Sequence, residues 1–463
     1  MTALWTSEEI VAATGGRLAG EAFEVTGVTF DSREVEHGWL FVAMPGTVAD
    51  GHDYVGKAFA AGAAGALVSK PVKGPHVLVA DVAKALTDLA IASRDRMSGK
   101  VIGVTGSVGK TSTKEALFAA LDRYARGRVQ RSVKSYNNHT GVPLSLARMP
   151  RVSEYAVLEM GMNHPQEIAE LTRLVRPHVA LVTTIASAHI EHLGSMEAIA
   201  DAKAEIFEGL ESEGIAILPE DTPYRDRLVK AARQYAGRVV TFGSGEADVA
   251  AVHAVRSDHG GSLVTARLLE SELTYTIGQR GDHWVSNSLA VLSAVEAVGA
   301  DLAIAGLALA DMGGLKGRGE RHRVTISDEG DFLLIDESYN ANPASMAATL
   351  KALGEEREVT RRIAVLGPMR ELGDHADELH AALAPAVIEA KVDRLILVGE
   401  DMRPLEDALK GAVSVDRATA AADAADRLAE IVRPGDAVLV KASNSIGLAK
   451  LVERMLREPA CST

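Results

Sequence analysis

Cysteine is almost absent: the 463 residues include one, Cys461. A single thiol cannot close an internal disulfide, and that usage fits a reducing compartment, so a cytoplasmic location is expected. Long apolar runs are missing too. None approaches the ~18 residues that a membrane span needs. The opening Met1-Thr-Ala-Leu-Trp-Thr-Ser-Glu-Glu-Ile lacks the basic segment and apolar stretch of a signal peptide. The chain is therefore not expected to be integral to a membrane. It also lacks net positive charge: the formal value of −14 argues against a protein that wraps nucleic acid. Any phosphorylated ligand must then be met by cations gathered locally. Aromatic residues make up only 4%, yet 47% hydrophobic and 24% charged residues with 42 glycines describe a well-packed globular enzyme. No low-complexity tract or short-period repeat occurs. A monomer is expected.

The length exceeds what one hydrophobic core organises, and three domains are expected. Thr6 or Ser7 reads as the cap of a first helix that stops at Gly15-Gly16. Short apolar runs at 25–30, 40–43, 65–68 and 76–80, with a helix-like stretch at 55–63, predict a small mixed α/β domain over 1–82. A helix at 82–97 leads into the buried strand Val101-Ile-Gly-Val-Thr. Strands at 155–158, 178–184 and 215–218 then alternate with helices at 165–175 and 196–210, the pattern of a doubly wound parallel sheet, over 83–315. A third alternating set begins near 324, with strands at 332–335, 363–366, 395–398 and 437–440 and a closing helix at 448–456, and predicts a Rossmann-like domain over 316–463. Ligand pockets are expected between the domains.

The strongest motif is Thr105-Gly106-Ser107-Val108-Gly109-Lys110-Thr111-Ser112, placed between strand and helix. Glycines let backbone N–H groups curve around phosphate oxygens, Lys110 can reach the β and γ phosphates, and Thr111 can offer its hydroxyl to Mg²⁺. The helix that starts near Thr111 adds its positive end. Val104 stands where the longer form of the motif has its first glycine, so the loop is a shortened Gly-x-x-Gly-Lys-Thr variant. Glu159 ends the strand Tyr155-Ala-Val-Leu-Glu, as the metal-binding carboxylate of such proteins does; read alone, it is equally a strand-end surface glutamate. His189, delivered to the same sheet edge by the strand at 178–184, is a metal or phosphate contact candidate. With His192 it forms His-x-x-His, a weak zinc signal without further ligands. Lys203, in Ala-Lys-Ala-Glu-Ile-Phe, reads on its own as a solvated helix lysine.

The segments at 105–112, Tyr-Asn-Asn-His-Thr-Gly-Val-Pro at 136–143, Leu-Glu-Met-Gly-Met-Asn at 158–163, Ala-His-Ile-Glu at 188–191 and Ala-Lys-Ala-Glu-Ile-Phe at 202–207 together resemble the Mur ligases of peptidoglycan synthesis. The resemblance spans essentially the whole chain. Asp336-Glu-Ser-Tyr-Asn-Ala-Asn-Pro343 looks like the branch of that family that adds D-alanyl-D-alanine to UDP-N-acetylmuramoyl-tripeptide. Phe30-Asp-Ser-Arg-Glu-Val and Asp50-Gly-His-Asp fit its UDP-sugar domain, and Glu371-Leu-Gly its C-terminal domain.

The resemblance implies an ATP-dependent amide ligase working through an acyl-phosphate. Gly106 through Ser112 would hold the ATP phosphates, with Lys110 and Thr111 central. Thr111, Glu159 and His189 would be ligands for two Mg²⁺ ions, and Lys203 would be carbamylated, its new carboxylate holding the second ion. CO₂ adds only to a neutral amine, so a partly buried lysine with lowered pKa suits that role. Asn287 would contact adenine and Arg318 a phosphate, with Asp336, Tyr339 and Asn340 lining the nucleotide. Asn137, Asn138 and Thr140 would face the sugar peptide, with Ser32 and Arg33 near the uridine. The sequence departs from the family at Pro368, usually Asp, and at Ala442 and Asn444, where Gly and often Arg are common; both lie on the dipeptide side. Other Mur ligases and folylpolyglutamate synthases share the loop and the chemistry. A P-loop switch or regulatory ATPase, needing neither a second crevice nor Lys203, is the alternative from another class, with a non-catalytic UDP-sugar binding protein behind it.

Overall fold

The computed structural model describes residues 3–46, 49–187, 190–257, 260–326 and 330–457. Three sheets carry the α/β architecture, one in each third of the chain. The first helix, Ser7–Thr14, is bounded as its residues require: Thr6 and Glu9 form a reciprocal capping box, and Gly15 closes the helix at a φ of 65°. Behind it lies a five-stranded sheet in the order Arg17–Ala19, His76–Leu78, Gly65–Val68, Trp39–Val42, Gly27–Thr29, parallel except at its first pair.

The strand Lys100–Thr105 is buried at every position but its first. Such a strand must sit inside a sheet covered on both faces, and it lies between Tyr155–Glu159 and Val179–Val182 in a nine-stranded sheet. One face packs against helices Lys110–Ala125, His283–Ala297 and Leu302–Asp311. The other packs against Glu167–Val175, Met196–Ala204 and Arg225–Ala232. Register pairs Glu159 with Val104 and Val182 with Thr105, so three strands end together at one edge.

The sheet also contains what the alternation of strand and helix does not announce. After the parallel strands it continues through Val249–Arg256, Ser262–Arg267 and Glu272–Ile277, the last two added antiparallel. The helix expected over 196–210 gives way after Ala204 to a tighter turn, Glu205–Gly209. Gly209 explains the change, because a Cβ there would lie 2.2 Å from the Thr172 carbonyl oxygen, so the chain is pressed onto its neighbour.

The C-terminal sheet runs Glu320–Ile326, Gly330–Glu337, Ala437–Lys441, Arg362–Leu366, Arg394–Val398, Ser414–Ala418, with only the first pair antiparallel. Its two edge strands, Glu320–Ile326 and Ser414–Ala418, extend the four expected. Lys441 is in register with Glu337 on one side and Leu366 on the other. Among the described residues no helix is long and apolar enough to cross a membrane.

Candidate active site

The glycine loop follows directly from Thr105. Gly106 has a φ of 144°, and a Cβ on it would lie 2.0 Å from Thr183 Oγ1, so no other residue lets the loop close this tightly against the neighbouring strand. Ser107 N–H donates to the Thr184 carbonyl at 2.7 Å, its hydroxyl to the Ala186 carbonyl at 2.9 Å, and Thr183 Oγ1 to the Val108 carbonyl at 2.6 Å. Gly109, at a φ of 87°, turns the chain into the helix that Lys110 starts. Lys110 folds back to donate to the Gly106 carbonyl at 2.6 Å. Burial lowers its pKa and Arg318 lowers it further, while Glu159 and Glu371 act in the opposite direction.

Glu159 is buried, and its carboxylate is held by polar neighbours. Thr111 Oγ1 donates to Oε2 at 2.9 Å, Asn137 Nδ2 to Oε1 at 2.9 Å, and the Lys114 ammonium stands 3.7 Å from Oε2. The hydroxyl and carboxylate form a hard-oxygen pair that fits Mg²⁺, an ion that keeps waters and phosphates as its other ligands. Among the described residues no three His, Cys, Asp or Glu side chains converge into a complete protein cage. His189 lies outside the described residues; its neighbour Ser187 lines the cavity.

Lys203 is fully buried, and its Nζ has no hydrogen-bond partner among the described residues. Burial first, and then the charge of Lys110, hold its pKa well below that of an ordinary lysine, against the pull of Glu205 and Glu167. Burial and the Lys110 charge thus disfavour the ammonium form of Lys203, the form that cannot add CO₂.

A cavity of about 820 Å³ opens over the loop and reaches both larger sheets. Residues 107–112 form its floor; Asn137 and Asn138 line one side, Asn287, Arg318, Tyr339 and Asn340 another. Arg318 stacks over the Tyr339 ring, 4.3 Å from its centroid. Asp336 is not among the lining residues. It is buried, with its carboxylate accepting from Gly317 N–H at 2.9 Å and from the Ser338 N–H and hydroxyl at 3.0 and 2.6 Å. It therefore fixes the turn that presents Arg318. Glu337 and Lys441 reach the cavity instead, 3.3 Å apart, with Lys441 also donating to the Asn340 carbonyl.

Ser32, Arg33 and Thr140 are not brought to this cavity. Arg33 is exposed and paired with Asp31, and Thr140 precedes the helix Gly141–Ala147. Pro368 and Ala442 do not line the cavity, whereas Asn444 does. Sequence reasoning missed Glu337 as a cavity residue, although it lies inside the quoted motif. It also missed Lys114, whose position one helical turn after Lys110 was the available signal.

Three family models match successive parts of the chain. The Mur ligase family, catalytic domain, matches residues 24–95; the Mur ligase middle domain, 104–295; and the Mur ligase, glutamate ligase domain, 320–444. The UDP-N-acetylmuramoyl-tripeptide–D-alanyl-D-alanine ligase of Bacillus subtilis (strain 168) is 34% identical, covering 98% of this chain and 99% of that protein. The crystal structure of MurF from Acinetobacter baumannii superposes with a TM-score of 0.84 at 29% identity, over 98% of this chain and 99% of that one. The MurF ligase from Thermotoga maritima, solved in complex with ADP, gives 0.76 at 28% identity over 94% and 98%. With a relative of that identity matched end to end and three domain models falling in order along it, this chain belongs to the Mur ligase family.

Proposed function

We infer that the protein is an ATP-dependent carbon–nitrogen ligase that joins D-alanyl-D-alanine to UDP-N-acetylmuramoyl-tripeptide, giving the pentapeptide, ADP and phosphate. The observation that carries this reading is the cavity in which a phosphate loop, the Thr111–Glu159 oxygen pair and the Arg318, Glu337 and Lys441 wall face one another. A carboxylate does not condense with an amine in water, because its leaving group is too poor. Transfer of the γ-phosphoryl group to the tripeptide carboxylate gives an acyl-phosphate; attack by the dipeptide amine then expels phosphate.

Lys110 and the N–H groups of 107–112 would bind and orient the β and γ phosphates, with the Lys110 charge opposing the negative charge that develops there. Thr111 and Glu159, with His189, would hold Mg²⁺, and Lys203 would provide a further ligand as its carbamate. Bound Mg²⁺ supplies charge neutralisation at the phosphoryl oxygens. Arg318 and Lys441 add cations from the C-terminal sheet, and Asn137 and Asn138 present amides toward the sugar peptide. Enclosure between the domains keeps water from the acyl-phosphate. We assign 1–82 to UDP-sugar binding, 83–315 to ATP binding and 316–463 to the ligase domain that completes the site. Ser32, Arg33 and Thr140 remain candidates for the sugar-nucleotide side, outside the cavity described. A cytoplasmic location fits the single cysteine, and a monomer is our expectation.

The test is phosphate release assayed with ATP, UDP-N-acetylmuramoyl-tripeptide and D-alanyl-D-alanine, omitting each in turn. Release is expected only with all three, because the correct substrates assemble the site. Comparable ATP hydrolysis without the sugar peptide would favour a nucleotide switch instead.

A further inference from the structure

Lys114 is fully buried in the helix Lys110–Ala125, one turn beyond the phosphate-binding lysine, and it points away from solvent toward the loop at 132–138. Its ammonium donates to the Lys134 carbonyl, sits 3.1 Å from Glu115 Oε1 and stands 3.7 Å from Glu159 Oε2. Lys134 has a φ of 50°, a left-handed conformation uncommon for a residue other than glycine. The loop is tied to the same place at other points. Ser135 Oγ lies 3.3 Å from Thr111 Oγ1, and Ser132 Oγ accepts from Glu159 N–H at 2.8 Å. This loop carries Asn137 and Asn138 into the cavity. From its outer side the Lys134 ammonium pairs with Glu34, a residue of the N-terminal third.

We propose that Lys114 is a positioning residue for the substrate-side wall, holding the 132–138 loop through the Lys134 carbonyl so that Asn137, Asn138 and Glu159 meet the cavity as one unit. Lys114 does not line the cavity, so it acts on the nucleotide and sugar peptide only through the loop it holds. Its loss should therefore act on the loop and on sugar-nucleotide binding, and leave metal-free nucleotide binding alone. The sugar-nucleotide part rests on the function proposed above; the loop part does not.

The experiment compares wild type with Lys114→Met, which keeps an apolar stem of similar length without the ammonium. Amide hydrogen exchange across 133–138 should accelerate at least ten-fold in the variant, while the strand Lys100–Thr105 keeps its protection and reports an intact sheet. Calorimetric titration with UDP-N-acetylmuramoyl-tripeptide, without nucleotide, should show at least ten-fold weaker binding. ADP affinity without Mg²⁺ should change less than two-fold. Should strand protection also be lost, Lys114→Leu, which likewise removes every donor, takes the place of the methionine variant with the same loop acceleration expected. Unchanged exchange at 133–138 in a folded variant overturns the proposal. If wild type itself fails to bind the sugar peptide, the functional reading falls while the exchange result still decides the role of Lys114.

Discussion

Replacing Lys203 by methionine tests what a lysine does at a fully buried position. The side chain is fully buried and its Nζ has no partner among the described residues. Its pKa in the folded protein lies well below the unfolded value, with burial the first cause. The unfolded chain therefore binds more protons between those two values, and stability rises with pH across that interval, at up to ~1.4 kcal/mol per pH unit. Below the folded value both states are protonated and the full penalty is present; above the unfolded value it is gone. Substituting an apolar side chain of similar volume removes the cost of burying or deprotonating that amine and should stabilise the unmodified protein at pH 7. Each kcal/mol corresponds to a melting temperature higher by roughly 2–4 °C.

Melting is to be measured in CO₂-free buffer at pH 7, 8 and 9. Lys203→Met should melt higher than wild type at pH 7, and the gap should shrink as pH rises. Its ligase activity should be lost. Wild type, but not the variant, should give a carbamate ¹³C resonance with labelled bicarbonate and Mg²⁺. Formate should restore part of the activity of Lys203→Ala and do nothing for Lys203→Arg, whose guanidinium stays charged and takes up no CO₂. A methionine variant less stable than wild type would refute the burial argument. An active, formate-insensitive Lys203→Arg would sink the carbamate.

Lys110→Ala should lower kcat by about 10²–10³-fold with the fold intact by circular dichroism, because the side chain acts as a charge at the phosphoryl group; an unchanged kcat would remove the loop from the mechanism. Asp336→Ala leaves the Gly317 and Ser338 donors unsatisfied in a buried place and should cost about 1–3 kcal/mol in urea unfolding. The same variant should raise KM for ATP by freeing the turn that presents Arg318, and a normal KM would show that Arg318 holds its place without it.

The sequence by itself determined the elements whose causes are local. Thr6, Glu9 and Gly15 bound the first helix through caps that involve only neighbouring residues. Gly106, Gly109 and Lys110 specify the loop because its curvature and its charge reside in those residue types. The family followed from motifs spread along the whole length. What required the tertiary structure was every property set by the distance between remote segments. Lys114 and Lys203 look alike in sequence as helix lysines, and both are buried; one meets the Lys134 carbonyl and the other has no hydrogen-bond partner among the described residues. Asp336 and Glu337 are adjacent carboxylates, but strand alternation sends the first inward to Gly317 and the second to the cavity beside Lys441. The antiparallel strands Ser262–Arg267 and Glu272–Ile277 alternate between buried and more exposed residues, but that they extend the central sheet is set by their pairing with Val249–Arg256. Burial, and with it the protonation state of a lysine, depends on what covers the side chain, and that is decided only when the chain has folded.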